Sequence, residues 1–249
     1  VFLSIGTPLH RTLNIPGEHL TGVVPALPFL RAVSAGQAPA LGNHVLVIGG
    51  GDVAMDAVRS SLRLCPSRDV RLVYRRGRSE MPADPEEVRG AEHEGIRFLF
   101  QKAPVRIVGE TAVTGVVVQD MELGPPDGSG RRSPVAVEGS EATLECDTVV
   151  VAVGQRADLT GMDPQLDLRI APMGWPEGQG EGFATGVPGI FAAGGRSVVY
   201  AMGNAKKAAD AIDAFLSAKR GEAAGPRPNS FGSGEPFHLP AGYTTPIRS

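Results

Sequence analysis

The sequence of 249 residues has little cysteine and no uncharged apolar run of membrane-spanning length. Its two cysteines, Cys65 and Cys146, are far apart and form no C-x-x-C pair, so a zinc, iron–sulfur or redox-disulfide site within the chain is unsupported. We interpret them as reduced thiols. Since a basic and apolar leader is also missing, we expect a soluble cytoplasmic protein without a membrane span.

Excess charge of either sign is lacking as well. The 24 lysines and arginines nearly balance the 27 acidic residues, which leaves a formal net charge of -3. This balance gives no electrostatic reason to expect nucleic acid or an anionic membrane as a partner. Small molecules and other proteins are the expected partners, and the 42% hydrophobic content suffices for globular cores.

A constellation of side chains typical of acid–base catalysis is missing too. An enzyme that transfers protons with its own side chains would need a proton donor beside its substrate, but the five histidines share no pattern and are interpreted as surface or packing residues. Glu80, Glu86 and Glu87 are interpreted as a solvated helix entry. We therefore predict no catalytic side chain and no metal site. The histidines are His10, His19, His44, His93 and His238.

The most informative part of what is present runs from His44 to Tyr74. His44–Ile48 is a continuous apolar strand, a glycine run follows, and Val53–Leu64 has apolar residues at helical spacing. Val70–Tyr74 is then a second strand. Strand, glycine turn, helix and strand in this order predict a parallel βαβ unit with a right-handed crossover.

The glycine run has the G-x-G-x-x-A form of a dinucleotide-binding turn. In that form Gly49 allows the tight turn, Gly51 lets a pyrophosphate approach the backbone, and Ala54 permits close packing of helix on sheet. The helix N-terminus then faces the phosphates with free N–H groups. The alternative, a purely structural turn, is disfavoured by its position between a strand and a helix. The motif residues are Gly49, Gly50, Gly51, Asp52, Val53 and Ala54.

Three arginines follow the second strand of this unit. An NAD-binding unit normally carries an acidic residue there, which holds the ribose 2′-hydroxyl, but this sequence has Arg75, Arg76 and Arg78. Guanidinium groups favour a 2′-phosphate. We therefore predict NADPH binding in preference to NADH. A solvated basic loop is the alternative interpretation.

Two further segments are candidates for cofactor contacts. The apolar strand that runs to Ala152 and Gly154 has the form of one that closes a dinucleotide domain near its cofactor, although any core strand would fit the same pattern. Gly194 ends a third glycine turn, which an alanine-rich helix follows. The dipole of that helix could stabilise an anionic ligand.

Other elements follow from their periodicity. Val1–Gly6 predicts a short buried strand that starts without a polar lead-in, which suggests that residues precede it. Helices are predicted over Pro25–Ala35, Pro85–Glu94 and Ala201–Lys219. Strands predicted at 96–100, 106–108, 113–120 and 133–137 are expected to be antiparallel, and another strand is predicted at 189–193.

Taken together, four segments resemble the small, NADPH-oxidising subunit of glutamate synthase and its relatives, among them the electron-input half of dihydropyrimidine dehydrogenase. The resemblance covers Val1 to Arg220 in order, and the run YRRxRxEMPA from Tyr74 to Ala83 is its most specific part. The segments are VLVIGGGDVAMDAVRSSLRL, VRLVYRRGRSEMPADPEEV, CDTVVVAVGQRADLT, and GIFAAGG with AMGNAKKAADAIDAFL.

The resemblance implies an α/β fold with a Rossmann-like, three-layer dinucleotide-binding domain and an incomplete second domain of the FAD-binding type. On this basis residues 36–156 form the NADP(H)-binding domain, and residues 1–35 and 186–220 are a remnant of the FAD-binding domain. Residues 157–185 are an irregular connection. Residues 221–249, rich in Pro, Gly and Ser, are a flexible tail.

Two departures from the family bear on the flavin. The family's N-terminal iron–sulfur region and first FAD-binding glycine motif have no counterpart here, so we expect FAD binding to need a missing N-terminal region. Where the family has Gly-Asp, with the Asp holding the flavin ribityl chain, this sequence has Gly194-Gly195. By resemblance, the helix from about Ala201 points its N-terminus at the flavin.

Two functional hypotheses remain open. The first is the NADPH-binding part of a flavin-dependent oxidoreductase, which passes hydride from NADPH to FAD and electrons onward to iron–sulfur clusters or a partner subunit. The second is an NADP(H)-binding module without flavin that acts in assembly or sensing. The presence of bound flavin distinguishes them.

Overall fold

The computed structural model describes residues 1–128, 130–163, 165–171, 174–178, 180, 182–194 and 198–222. They form two compact units. The central unit comprises the described residues of Ile5–Met162 and Ile170–Trp175, and the terminal unit comprises the described residues of Val1–Ser4, Asp163–Arg169 and 176–222. Of the tail predicted at 221–249, only residues 221 and 222 are among the described residues.

The secondary structure is numbered along the chain. The strands are β1 (Phe2–Leu3), β2 (Leu9–His10), β3 (Val23–Pro25), β4 (His44–Gly49), β5 (Asp69–Tyr74), β6 (Arg97–Phe100), β7 (Lys102–Val108), β8 (Gly115–Pro126), β9 (Arg132–Ala136), β10 (Ala142–Glu145), β11 (Thr148–Ala152), β12 (Gln155–Arg156) and β13 (Phe191–Ala192). The helices are α1 (Ala26–Ser34), α2 (Asp52–Leu64), α3 (Pro85–His93) and α4 (Val198–Arg220).

A five-stranded parallel sheet is the centre of the central unit. Its strand order is β3-β11-β4-β5-β6, and every neighbouring pair is parallel. The residues of β4 after His44 are buried and almost wholly apolar, as expected for a strand that is covered on both faces. The predicted βαβ unit of β4, α2 and β5 is therefore present.

Helices cover one face of this sheet. Val45, Val47 and Leu72 point into a core with Phe29 of α1 and Met55 of α2. Apolar residues at helical spacing on α2 produce this buried side, since residues three and four apart share one face. The helical layer therefore packs by the periodicity that the sequence displays.

An antiparallel sheet covers the other face. Leu46, Ile48 and Val73, which alternate with the residues of the helical side, pack against Val116 and Val118 of β8. In this second sheet β8 pairs with β7 and β10, and its distal half pairs with β9. The predicted α/β class with three layers is confirmed, and its third layer consists of strands.

Three sequence expectations differ from this arrangement. Residues 96–100 were expected to pair antiparallel, but β6 is a parallel edge strand because α3 carries the chain back across the sheet before it. β3 was not predicted. Residues 5–35 were assigned to the FAD-type remnant, yet they lie in the central unit because β3 pairs with β11 and α1 lies against α2.

The terminal unit contains β1, β13 and α4. β1 and β13 form a two-stranded parallel sheet, and the Phe191 and Phe215 rings meet edge to face with their centroids 5.8 Å apart. The strand predicted at Val1–Gly6 is only two residues long, and its Phe2 is exposed rather than buried because β13 is its one strand neighbour among the described residues.

An ion-pair cluster joins α2 to α3 in the central unit. Arg59 donates from Nε and Nη2 to Glu94 Oε1 at 3.0 and 2.7 Å, and it also pairs with Glu87. Arg63 reaches the same Glu94 oxygen at 3.2 Å. The hydrogen bond from Arg59 lowers the pKa of Glu94 below its ordinary value of 4.5.

The substitution Glu94→Gln should reduce the free energy of unfolding by about 1–2 kcal/mol at neutral pH, because it removes charge-assisted hydrogen bonds from half-buried arginine. A lowered folded-state pKa contributes stability above pH 4.5 that is lost as pH falls through the folded value. Urea unfolding at pH 7 and pH 4 should therefore give a smaller difference between variant and wild type at pH 4.

The matched control is Glu86→Gln, which neutralises an exposed carboxylate on the same helix α3, paired with Arg89 at 3.5 Å. Exposed pairs contribute little, so this variant should stay within about 0.5 kcal/mol of wild type at both pH values. An equal loss in both variants would show that the cluster around Arg59 has no special role.

Candidate functional site

Three loops with the predicted site residues start at the same edge of the parallel sheet. Gly49 ends β4, Tyr74 ends β5 and Ala152 ends β11, and parallel pairing aligns all three carboxyl ends. The chain leaves β4 toward β5, whereas β11 is inserted on the other side of β4. Ligands of open α/β sheets bind at such a reversal of strand order.

The turn after β4 can be built only with glycine at its first position. Gly49 has φ +150°, in a region that side chains rarely adopt. A Cβ there would lie 2.4 Å from the Ala152 carbonyl oxygen, which is far inside van der Waals contact. The close approach of β4 and β11 therefore excludes any side chain at Gly49.

The next two glycines differ in their surroundings. A Cβ on Gly50 would lie 2.5 Å from the ring of Tyr74, which is buried and donates its hydroxyl to the Glu80 carbonyl at 2.8 Å. A Cβ on Gly51 would have its nearest contact at 3.9 Å, to Pro82. Gly50 is thus required for packing inside the protein, and the open side of the turn is at Gly51.

Helix α2 starts directly at this open side. Gly51 is its extended N-cap, Met55 N donates to Gly51 O at 3.1 Å, and Ala54 is fully buried. The N–H groups of Asp52 and Val53 come before the first helical hydrogen bond. The turn therefore presents unpaired backbone donors and the positive end of a helix dipole.

A short segment lies over the glycine turn. Ala83 N donates to Gly50 O at 3.3 Å, and Asp84 N donates to Asp52 Oδ1 at 2.8 Å. Asp84 in turn caps α3 by accepting from Glu86 N at 2.8 Å. The carboxylate of Asp52 thus fastens the residues of the EMPA motif to the turn.

The three predicted arginines stand in different environments. Arg75 is exposed and has no ion pair or side-chain hydrogen bond with the described residues. Arg76 is only 6% exposed and pairs through Nη2 with Asp127, while its Nε is buried without a partner. Arg78 is exposed and pairs with Glu92 of α3. The cluster is therefore one free and two paired guanidinium groups.

Sequence reasoning missed two acidic residues at this loop. Glu80 was interpreted as part of a solvated helix entry, but it is 8% exposed, and its Oε2 is buried without a hydrogen bond. It sits at the end of a 3-10 turn, Arg78–Glu80. Asp127 lies 51 residues from Arg76, between β8 and β9, and no local pattern in the sequence links the two.

The remaining predicted site residues fall in two places. Gly154 follows β11, has φ +116° and accepts a hydrogen bond from Arg11 N at 3.0 Å. In the terminal unit, Gly194 O accepts from Asn204 Nδ2 at 2.6 Å, and Ala201 lies in the first turn of α4, which starts earlier than predicted. Gly195 lies outside the described residues.

Metal ligands and histidines are the other side chains that could form a functional site. Within the described ranges there is no group of three His, Cys, Asp or Glu residues that could hold a metal ion. His44 starts β4, at the opposite edge from the glycine turn, and pairs with Asp69 at 2.8 Å. No helix in the described part of the chain is both long and apolar enough to cross a bilayer.

Comparison with known proteins agrees with this geometry. A family model described as pyridine nucleotide-disulphide oxidoreductase matches residues 1–213. The β subunit of the NADP(+)-dependent formate dehydrogenase of Moorella thermoacetica is 41% identical over 225 residues, which are 87% of this chain and 31% of that protein. The small chain of the NADPH glutamate synthase of Azospirillum brasilense is 36% identical over 237 residues, 88% of this chain and 49% of that one.

These relatives confirm the predicted resemblance to the glutamate synthase small subunit, and the chain spans half their length or less. Among solved structures, FprA of Mycobacterium tuberculosis in complex with NADPH matches with a TM-score of 0.69 at 22% identity, covering 89% of this chain and 64% of FprA. At that identity the likeness establishes the fold.

The adjacent positions Gly50 and Gly51 give a matched test of the turn. Gly50→Ala should reduce the free energy of unfolding by about 2 kcal/mol, because the new methyl group must displace a hydrogen-bonded tyrosine ring. Gly51→Ala should cost no more than about 1 kcal/mol, the price of a poorer helix N-cap. Urea unfolding followed by circular dichroism measures both, and equal losses would contradict the assignment of Gly51 to the open side.

Proposed function

Because the chain belongs to the pyridine nucleotide-disulphide oxidoreductase family, we propose that it is the NADPH-binding part of a flavin-dependent oxidoreductase. In this proposal hydride passes from NADPH to FAD, and electrons continue to iron–sulfur clusters or a partner subunit. The observation that carries the proposal is the open glycine turn at Gly51, one strand away from the guanidinium group of Arg76.

The glycine turn fits the pyrophosphate of a dinucleotide. The open space beside Gly51 would admit phosphate oxygens to the backbone, and the free N–H groups of Asp52 and Val53 would donate to them. The Asp52 carboxylate is held by Asp84 N, which keeps this acidic group bonded to the backbone. Ala54 permits the close packing that aims α2 at the turn.

The loop after β5, which contains Arg75, Arg76 and Arg78 and is called the arginine loop below, fits the 2′-phosphate of NADPH. It follows β5, the neighbour of β4, which is where an adenosine ribose lies in dinucleotide-binding units. Arg76 has a buried Nε without a partner, and Arg75 is exposed without one among the described residues. Both can donate to phosphate oxygens, whereas a bare 2′-hydroxyl offers no negative charge to either guanidinium group.

The chemistry at the nicotinamide end belongs to the cofactors. NADPH and FAD, when bound, supply hydride transfer, and the protein binds, orients and shields them from water. Ala152 and Gly154, at the end of β11, would line the part of the site beside the glycine turn. A side chain that donates or accepts a proton is not required, in keeping with His44 at the opposite edge.

FAD binding and a partner subunit are inferred from the family to which the chain belongs. Gly194, Gly195 and Ala201 would contribute to the FAD side, together with a region outside this chain. The names of two relatives describe them as a subunit and a small chain, which supports a partner subunit. The free thiols Cys65 and Cys146 support a reducing, cytoplasmic compartment.

A second candidate function is an NADP(H)-binding module without flavin, acting in assembly or sensing. The feature that favours it is the pair Gly194-Gly195, which lacks the carboxylate that the family uses for the flavin ribityl chain. Both candidates share the NADP(H) site and differ in flavin binding.

Arg75→Ala should weaken NADPH about tenfold or more and leave NADH nearly unchanged, since one charge-assisted hydrogen bond to phosphate is removed. Isothermal titration calorimetry measures both affinities. The control is Arg31→Ala, an exposed arginine in the last turn of α1, because that helix runs back to the opposite edge of the sheet. Equal weakening of NADPH and NADH by Arg75→Ala would refute the 2′-phosphate assignment.

Flavin content separates the two candidate functions. The natural full-length protein, purified without added cofactor, should show the visible absorption of an oxidised flavin, which NADPH should bleach under anaerobic conditions. A colourless full-length protein that still binds NADPH would favour the module without flavin. Arg75→Ala should slow the bleaching at low NADPH concentration and keep the flavin spectrum.

A further inference from the structure

The partner of Arg76 is a carboxylate on a hairpin tip. Asp127 directly follows β8, and it pairs with Arg76 Nη2 across 51 residues of sequence. The arginine side chain is 7% exposed, whereas the aspartate side chain is 30% exposed. A buried cation is thus neutralised by a partly exposed carboxylate.

This pairing satisfies only part of the hydrogen-bonding capacity of the Arg76 guanidinium group. The carboxylate accepts from Nη2, while the adjacent Nε is buried and has no acceptor. An unmet buried donor costs free energy that a better-placed acceptor would recover. A phosphate group has three oxygens and a larger charge, and it can accept from Nε and Nη2 together.

We propose that Asp127 occupies the position of the 2′-phosphate and must give way to it, which makes Asp127 a determinant of specificity and affinity for NADPH. The inference rests on the proposed NADP(H) site. The carboxylate stands in for the phosphate on Arg76 when the site is empty, and the phosphate replaces it. NADH carries no group that can make this exchange.

Backbone hydrogen bonds join the base of the hairpin to the loop after β5, whereas those at its tip lie within the turn of the hairpin itself. At the base, Met121 N donates to Gln101 O at 2.8 Å and Gln101 N donates to Arg76 O at 3.1 Å. At the tip, the backbone carbonyl of Asp127 accepts from Gly130 N at 2.8 Å. Of the contacts between the tip and the arginine loop, the ion pair is the one that a phosphate would replace.

The exchange has a defined thermodynamic consequence. Any free energy spent on removing Asp127 from Arg76 is subtracted from the affinity for the 2′-phosphate. Neutralising Asp127 should therefore strengthen binding of ligands that carry this phosphate and give no gain for ligands that lack it. The same change leaves Arg76 without its counter-charge, so it should destabilise the free protein more than the complex.

The test compares Asp127→Asn with wild type, using adenosine 2′,5′-bisphosphate and AMP as ligands in calorimetric titrations. We expect the variant to bind the bisphosphate about three- to tenfold more tightly and to bind AMP no more tightly. Its melting temperature should be lower without ligand, and saturating bisphosphate should raise it by more than in wild type. Asp127→Glu, which keeps the charge, should retain the weaker binding of wild type.

Asp120→Asn is the matched control, since it makes the same change to a carboxylate within β8, the strand that leads to Asp127, and that carboxylate is paired with Lys102. It should leave both affinities unchanged. Unchanged or weaker bisphosphate binding by Asp127→Asn, with normal binding by wild type, would overturn this inference alone. Failure of both proteins to bind the bisphosphate would overturn the NADP(H) proposal itself, and this inference with it.

Discussion

The close approach of two strand ends determines much of this structure. β4 and β11 run parallel, and where they end the Ala152 carbonyl comes so near to the Gly49 backbone that no Cβ fits between them. The chain must therefore turn sharply after β4, which sets the direction of α2 and places its N-terminus at the sheet edge. The same contact joins the glycine turn to the loop after β11. One steric constraint thus assembles the candidate site from segments a hundred residues apart in the chain.

Local patterns were enough to predict the elements around this turn. The apolar run of β4, the glycine motif and the periodicity of α2 each have one structural solution that buries their apolar side chains, so the βαβ unit followed directly. The glycines were also correctly placed as a turn. Their separate roles were visible only in three dimensions, because the residues that crowd Gly49 and Gly50 come from β11 and from Tyr74.

Partners that are distant in sequence account for what could not be predicted. β3 is three residues long, and its strand character comes from pairing with β11. The composition of β6 does not indicate whether it pairs parallel or antiparallel. It is parallel to β5 because helix α3 returns the chain across the sheet before β6 begins. In the loop after β5, the sequence shows the positive charges but not that Arg76 and Glu80 are buried, and the ion pair of Arg76 is made with Asp127, 51 residues away.

One short stretch of chain, residues 74–84, contains the arginines proposed to bind the 2′-phosphate and the residues that pack on the glycine turn. Tyr74 packs on the glycine turn, the arginines follow it, and Ala83 and Asp84 close over the turn with backbone hydrogen bonds. Asp127 is the exception, since a separate hairpin carries it. Grafting residues 74–84 into a related NADH-dependent scaffold would therefore transfer the three arginines together with Ala83 and Asp84, which bond to the glycine turn. The Asp127 carboxylate would not be transferred. A cofactor-switching design needs the hairpin tip as a second, independently chosen module.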